Sequence, residues 1–377
     1  MMMSPTPPFA RSVSIDTGTP LPVQADIYAR LTPQNLTAPT GFFNMAWDVK
    51  TPYLMQYNFS VQQQLRSSMV LTMGYSGSLG RHWFVPREGN SAIPTILSDG
   101  RKFFQSGLRR RNLNVGSVRR SEADGNVAYS ALLVSLRQRL TTGLEFTASY
   151  TFSKLLNHAD HTTGGPLGGA HNAIDPDDVT RNWGLGDIDQ RNVFVLSGMY
   201  DLPFGRGLNG LGRALLTGWQ LNGIVKLSSG FPANPTVAFN RSQSLISGSP
   251  ALEVPNLKPG ADNNPQTGSR NTERFWDPAS FELAPVGFFG NLGRNTMIGP
   301  GSATVDFSVF KNIPRVLSED SQLQFRFESF NLLNRANFDL PNRSVFRTAS
   351  GVPDPAFGRI TSARESRELQ LGLKLTW

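Results

Sequence analysis

The chain ends Leu369-Gln370-Leu371-Gly372-Leu373-Lys374-Leu375-Thr376-Trp377. Every second residue is large and apolar, and those between are small or polar. A period of two puts all the leucines on one face of a β-strand. Nine or ten such residues cross a bilayer as a tilted strand. A strand greasy along one whole face packs against a sandwich core or against lipid. The terminal aromatic favours lipid, because tryptophan suits the interfacial girdle of a membrane barrel.

Working outward, eight more segments carry the same alternation: 55–65, 69–78, 129–140, 144–153, 191–202, 216–228, 303–312 and 321–332, with the last strand over 367–377. Two hairpins can be registered. Around Thr141-Thr142-Gly143, with Leu140 facing Leu144, the pairs are Leu136 with Ala148, Val134 with Tyr150 and Leu132 with Phe152. The other face then pairs Arg139 with Glu145, Arg137 with Thr147 and Ser135 with Ser149. Gly143 suits the left-handed turn position. Around Arg66-Ser67-Ser68 the pairs are Leu65 with Met69, Val61 with Met73 and Phe59 with Tyr75. Gln62, Ser60 and Asn58 face Thr72, Gly74 and Ser76. A slip of one residue would mix the faces, so both registers are well specified. Two strands alternate imperfectly: Phe330 breaks the polar face of 323–330, and Val193 and Val195 stand on the polar side of 191–202.

The connections alternate short and long. Short ones lie near 66–68, 141–143, 203–215 and 313–320. Long ones lie near 79–128, 154–190, 229–302 and 333–366. Loops of that length are uncommon in compact soluble domains. Outer-membrane barrels have short periplasmic turns and long external loops. On that parity the last strand runs down and leaves Trp377 at the periplasmic interface.

Composition agrees. The 377 residues include 36 Gly and 26 Pro, with 17% charged and 39% hydrophobic residues. That mix suits strands and irregular loops rather than helices. No run of 18 apolar residues forms a membrane helix. The N-terminus, Met1-Met2-Met3-Ser4-Pro5, lacks the features of a signal peptide. Cysteine is absent, which excludes disulfides and thiol chemistry. The net charge is +8, and its densest cluster is Arg109-Arg110-Arg111 with Arg119-Arg120. Without interleaved aromatics this reads as a solvated loop, and no nucleic-acid partner is expected.

Several segments together resemble a known family. They are Thr51-Pro52-Tyr53, Gln56-Tyr57-Asn58-Phe59-Ser60-Val61-Gln62 and Tyr75-Ser76-Gly77-Ser78-Leu79-Gly80-Arg81-His82. Ala148-Ser149-Tyr150-Thr151-Phe152-Ser153-Lys154 and Leu196-Ser197-Gly198-Met199-Tyr200-Asp201-Leu202-Pro203-Phe204-Gly205 follow. Next come Gly218-Trp219-Gln220-Leu221, Ser229-Gly230-Phe231-Pro232, Phe289-Gly290-Asn291-Leu292-Gly293-Arg294-Asn295 and Phe330-Asn331-Leu332-Leu333-Asn334. In this order they resemble the C-terminal barrel of TonB-dependent transporters of the Oar-like group, over roughly residues 45–377. The resemblance implies an antiparallel transmembrane outer-membrane β-barrel of 22 strands with an N-terminal plug. It implies solute import driven by the TonB energy-transducing complex acting through the plug. Outer-membrane lipid would be a partner, and so would the barrel-assembly machinery, through the C-terminal strand. This chain shows about nine strands and no plug or TonB box. The expectation is therefore a partial barrel over 55–377, preceded by an irregular Pro-rich segment over 1–54, an external loop of the parent.

Candidate sites are few. Arg137, Arg139, Glu145, Arg326, Glu328 and Lys374 would line the lumen. Tyr150, Phe152 and Trp377 would anchor the membrane interfaces. His158, His161 and His171 share a loop with Asp160, Asp175, Asp177 and Asp178, and such groups ligate transition metals. His158-x-x-His161 matches no zinc pattern, so a polar surface loop is expected there. The glycine runs 164–169 and 290–301 lack a phosphate-loop ending. No nucleophile elbow or zinc helix occurs, so neither catalysis nor a cofactor is expected. The competing readings are a soluble all-β ligand- or carbohydrate-binding module, and a functionless remnant of a receptor.

Overall fold

The structure, a computed structural model, describes residues 41–141, 143–159, 173–205, 207, 209–246, 253–268 and 271–377. Among these, nine long strands form one sheet in simple chain order. They are β1 (Tyr53–Arg66), β2 (Met69–Glu88), β3 (Val118–Thr141), β4 (Leu144–Asn157) and β5 (Asn192–Asp201). The wall continues with β6 (Trp219–Ser228), β7 (Ser302–Pro314), β8 (Gln322–Phe330) and β9 (Glu368–Thr376). Every adjacent pair is antiparallel. The wall is open. Among the described residues nothing pairs with the outer edge of β1 or β9. With nine strands in alternation, β1 and β9 run the same way, so they cannot close on each other with the antiparallel ladder of the rest.

The strand registers carry the face pattern across the whole wall. Phe59 faces Tyr75, and Tyr75 faces Leu132. Leu132 faces Phe152, Tyr150 faces Phe194, and Phe194 faces Leu227. Val225 faces Val305, Val309 faces Phe327, and Phe327 faces Leu371. The result is an apolar belt from one edge to the other. Leu371 and Leu373 are 70% and 71% exposed. At roughly 25 cal/mol per Å², such a belt requires an apolar surrounding. The opposite face carries Asn58, Ser76, Ser149, Ser197, Ser308, Glu328 and Gln370 in the same registers.

Both registered hairpins have the expected pairs, with one shared correction at the turn. Arg66 rather than Leu65 faces Met69, after a register shift between Gln64 and Arg66. Thr141 rather than Leu140 faces Leu144, after a shift between Gln138 and Thr141. A one-residue bulge in each descending strand tightens the loop to two residues. Gly143 has φ +87°, in the left-handed region. The second bulge also moves the expected ion pair. Glu145 lies 3.8 Å from Arg137, on the diagonal, instead of facing Arg139.

Other boundaries differ for physical reasons. β2 and β3 pair as far as Glu88 with Arg119, well beyond the 69–78 and 129–140 that alternation marks. Past the belt Trp83, Phe84 and Val85 are consecutive apolar residues on β2 and two register shifts interrupt the pairing there, so the period of two is lost while the ladder continues. Within 1–54, residues 1–40 lie outside the described residues. Phe42–Met45 is a short strand rather than irregular chain, parallel to Val118–Ser121. Residues 216–218 are not strand. The turn before β6 holds a helix, α1 (Gly210–Leu216). Its last carbonyls are capped by Lys311 from β7, whose Nζ donates to Ala214 O at 2.6 Å, Leu215 O at 3.2 Å and Thr217 O. Trp219 Nε1 adds a bond to Leu215 O at 2.8 Å. A cation at a helix C-terminus complements its dipole, which explains the one charge within the apolar belt of β7.

The buried core lies in the loops, not in the wall. Trp276, Phe275, Phe281, Phe346, Phe357 and Met297 are each at most 2% exposed. They come from the connections 229–301 and 331–367, joined by Ile174 from the connection after β4. Phe357 packs against Trp276 and Phe281 with ring centroids 6.2 and 5.9 Å apart. Two-residue ladders tie the segments together: Pro232–Ala233 with Met297–Ile298, and Asn256–Leu257 with Phe281–Glu282. A wall one sheet thick has no interior, so only the loops can form one.

Candidate functional site at the loop end of the polar face

Where strands β7, β8 and β9 reach the loops, the chain turns twice through asparagines. Asn331 and Asn334 have φ +48° and +49°, a conformation that asparagine tolerates better than most residues. Asn331 N–H donates to Asp306 Oδ1 at 2.8 Å, and Asn331 Oδ1 accepts from Arg335 N–H at 3.1 Å. Arg367 N–H donates to Asn334 Oδ1 at 3.0 Å. The segment Phe330–Asn334 is therefore a pinned turn that leads the chain back over the end of the wall.

Phe330 explains its own break in the alternation. It pairs with Glu368 and stands on the polar face, 44% exposed. Together with Asp306, Arg364 and Glu365 it lines a cleft of about 470 Å³. A second cleft, of about 270 Å³, lies on the other side of Arg364. Its apolar lining is Phe231, Pro300, Phe338 and Leu340, and its charged lining is Arg364 and Asp339. The two are joined by a short pairing of Phe338 with Ala363, extended by Arg364 N–H to Asn337 O at 2.8 Å. Asn337 Oδ1 accepts from Ala303 N–H at 2.8 Å and fixes this flap to β7. The site has an aromatic face, acids, one arginine and an apolar recess, and no nucleophile–base pair. Such groups can hold a ligand.

The expected lumen charges stand apart from this site and from each other. Arg137 and Glu145 lie on β3 and β4, and Arg139 is exposed at the bulge. Arg326, Glu328 and Lys374 lie on β8 and β9, with β5, β6 and β7 between. Arg326 stacks on Phe310 with its guanidinium 5.1 Å from the ring centroid. Glu328 faces Ser308 and Gln370, and Lys374 faces Gln324. Of the expected anchors, Tyr150 and Phe152 lie towards the loop end of the apolar face. Tyr150 Oη donates to Asn192 Oδ1 at 2.7 Å, and the Arg191 guanidinium lies 5.9 Å from the Phe152 ring. Trp377 follows β9 at the turn end, 84% exposed.

The histidine loop is only partly described, and His161 and His171 lie outside the described residues. His158 is 6% exposed, with Nδ1 accepting from Asn126 N–H at 2.9 Å. Its ring lies 4.8 Å from Trp183. Burial holds its pKa below the ordinary imidazole value, with the Arg294 charge acting the same way and a bond to the Asn126 backbone opposing. His158 is thus a strut between β3, β4 and the next loop. Among the described residues no three His, Asp or Glu side chains form a metal-binding group.

The glycine-rich stretch 290–301 proves to be a clamp. Arg294 is 5% exposed. It donates to Asn182 O at 2.9 Å, to Asn157 O at 2.6 Å and to Asn157 Oδ1. Asn295 Nδ2 donates to Leu185 O at 2.7 Å and Asp187 Oδ1 at 2.8 Å. These bonds join the loop core to the top of β4. A second brace links the 89–117 connection to the same region. Lys102 Nζ donates to Asp175 Oδ1 at 2.7 Å, and Arg111 donates to Asp177 at 2.9 Å.

A family model described as an outer membrane beta barrel domain matches residues 1–370. A search of curated protein sequences gave no match. Among solved structures the chain is similar to the FrpB iron transporter from Neisseria meningitidis (F3-3 variant). The TM-score is 0.39 at 10% identity, over 88% of this chain and 32% of that one. It is also similar to the outer membrane transporter YddB from Escherichia coli, at TM-score 0.45 and 10% identity, over 89% of this chain and 34% of that one. The chain thus spans about a third of the length of these solved transporters. Its nine-stranded antiparallel wall, its belted face and the family match along nearly its whole length lead to one assignment: the chain belongs to the outer membrane β-barrel domain family.

Proposed function

We propose that this chain is the C-terminal wall and loop cap of a TonB-dependent, Oar-like outer-membrane transporter that imports, or binds at the surface, a solute still to be identified. The observation that carries this reading is the belt. An apolar row runs in register across all nine strands on one face, and the other face is mainly polar. A soluble binding module would leave residues such as Phe59 and Leu371 in water. The long connections all leave one end of the wall, which fits external loops that capture solute. The turn end, with α1 and Trp377, then faces the periplasm. The open edges of β1 and β9 fit a barrel completed by further strands, an odd number of them. Energy would come from the TonB complex through a plug outside the described residues, and membrane insertion would use the assembly machinery acting on β9. The lumen-facing polar rows, including Arg137, Arg326 and Lys374, would contact plug or solute.

Gel mobility tests this. The chain, expressed with its native upstream region and recovered from an outer-membrane fraction, should migrate differently before and after boiling. A chain soluble without detergent and with no mobility shift would overturn the proposal.

A further inference from the structure

We infer that the double cleft around Arg364 is a binding site for a short peptide with a basic N-terminal part and an apolar C-terminal residue. The inference deepens the transporter reading, since it names the class of solute captured at the mouth of the polar face, and it rests on that reading for its place in transport.

Among the described residues, the side chains of Arg364, Asp339, Glu365 and Glu368 have no hydrogen bond or ion pair, although all four border the two clefts. The larger cleft is acidic and aromatic. Glu365, Glu368 and Asp306 border it, and Phe330 offers an exposed ring on the polar face. Carboxylates beside an aromatic face form a site for an ammonium or guanidinium group. Beyond Arg364 the smaller cleft is lined by Phe231, Pro300, Phe338 and Leu340, a recess suited to one apolar side chain. Arg364 lines both clefts, so a carboxylate on its guanidinium fork would sit between a cation on one side and an apolar group on the other. A peptide terminus supplies that sequence of groups: amine or basic side chain, then backbone, then C-terminal carboxylate with its own side chain. The break at Phe330 supports the assignment, because a residue that departs from its strand's pattern marks a functional position more often than a random one.

The site sits on braced ground. Asn331 is fixed by Asp306 and Arg335, and Asn337 by the backbone of β7. Binding therefore requires little ordering of the protein, which favours a small ligand.

The test is titration calorimetry on the full chain in mild detergent with three peptides: Lys-Gly-Phe, Glu-Gly-Phe and the C-terminal amide of Lys-Gly-Phe. Lys-Gly-Phe should bind at least tenfold more tightly than either of the others. Arg364→Gln should bind the free acid and the amide alike, and Glu368→Gln should narrow the preference for Lys over Glu while keeping the acid–amide difference. Equal affinity for Lys-Gly-Phe and Glu-Gly-Phe, or no binding by either, would overturn the site. Each preparation is also checked for heat-modifiable mobility. A heat-modifiable chain that ignores the peptides overturns this inference alone. A chain that is soluble without detergent overturns the transporter reading, whatever it binds.

Discussion

Tyr57 lies over Gly77. The two residues face each other across β1 and β2 on the apolar face, and a Cβ at position 77 would overlap the Tyr57 ring. The ring also stacks on Tyr75, at 6.1 Å between centroids and 28° between planes. The glycine is a socket for the aromatic, and it locks the edge pair in register.

Gly77→Leu should therefore displace the exposed Tyr57 ring and weaken the β1–β2 pair by about 0.2–1 kcal/mol, the range of one cross-strand pair. Thermal loss of heat-modifiable mobility measures it. A substitution at Gly100 is the control, because a Cβ there meets nothing; its positive φ adds only a local strain.

Trp276→Ala should empty the loop core and leave the wall intact. Removing a fully buried tryptophan destabilises by about 3–5 kcal/mol, here within the loops alone. Limited proteolysis should cut the 229–301 and 331–367 connections, while the detergent-resistant wall keeps its mobility shift. Simultaneous loss of both would show that wall and cap fold as one unit.

Arg294→Lys keeps the charge but loses the fork that reaches Asn157, Asn182 and Gly184 together. Lysine does not reproduce planar multidentate donation, and bonds to charged groups contribute roughly 1.5–3 kcal/mol each. Amide exchange at 182–186 and 291–296 should accelerate by at least tenfold, with β7 to β9 unchanged.

Two buried groups in the loops give opposite pH responses. Burial lowers the His158 pKa from its usual value near 6.5. Its contribution is therefore full above pH 6.5 and declines as pH falls through the lower folded value, because only the unfolded chain takes up the proton. Burial raises the Glu253 pKa above its usual 4.5, partly offset by bonds from Ser242 and Arg241. Its contribution is full below pH 4.5 and is lost as pH rises through the higher folded value. Hydrogen exchange should thus show the Asn126–His158 strut loosening on acidification and the 241–244 turn tightening. Glu253→Gln should remove the second response only.

The amino-acid sequence by itself determined the wall. Alternation is a local, two-residue signal, so the nine strands, the pairs Leu132 with Phe152 and Phe59 with Tyr75, and the two faces were all legible. The rhythm of short and long connections was legible too. Only the tertiary structure decided the bulges at Leu65 and before Thr141, and with them the diagonal pairing of Glu145 with Arg137. A bulge serves the twist of the closed turn and leaves no mark in the hydrophobic pattern. The loop core was hidden for a different reason. Trp276, Phe357 and Ile174 meet from three separate connections with no repeat between them, so no period announces them. The Arg364 clefts fall between these cases. Phe330 was visible as a flaw in the alternation of β8, and its meaning depended on Asp306 and Arg364, which only the folded chain brings beside it.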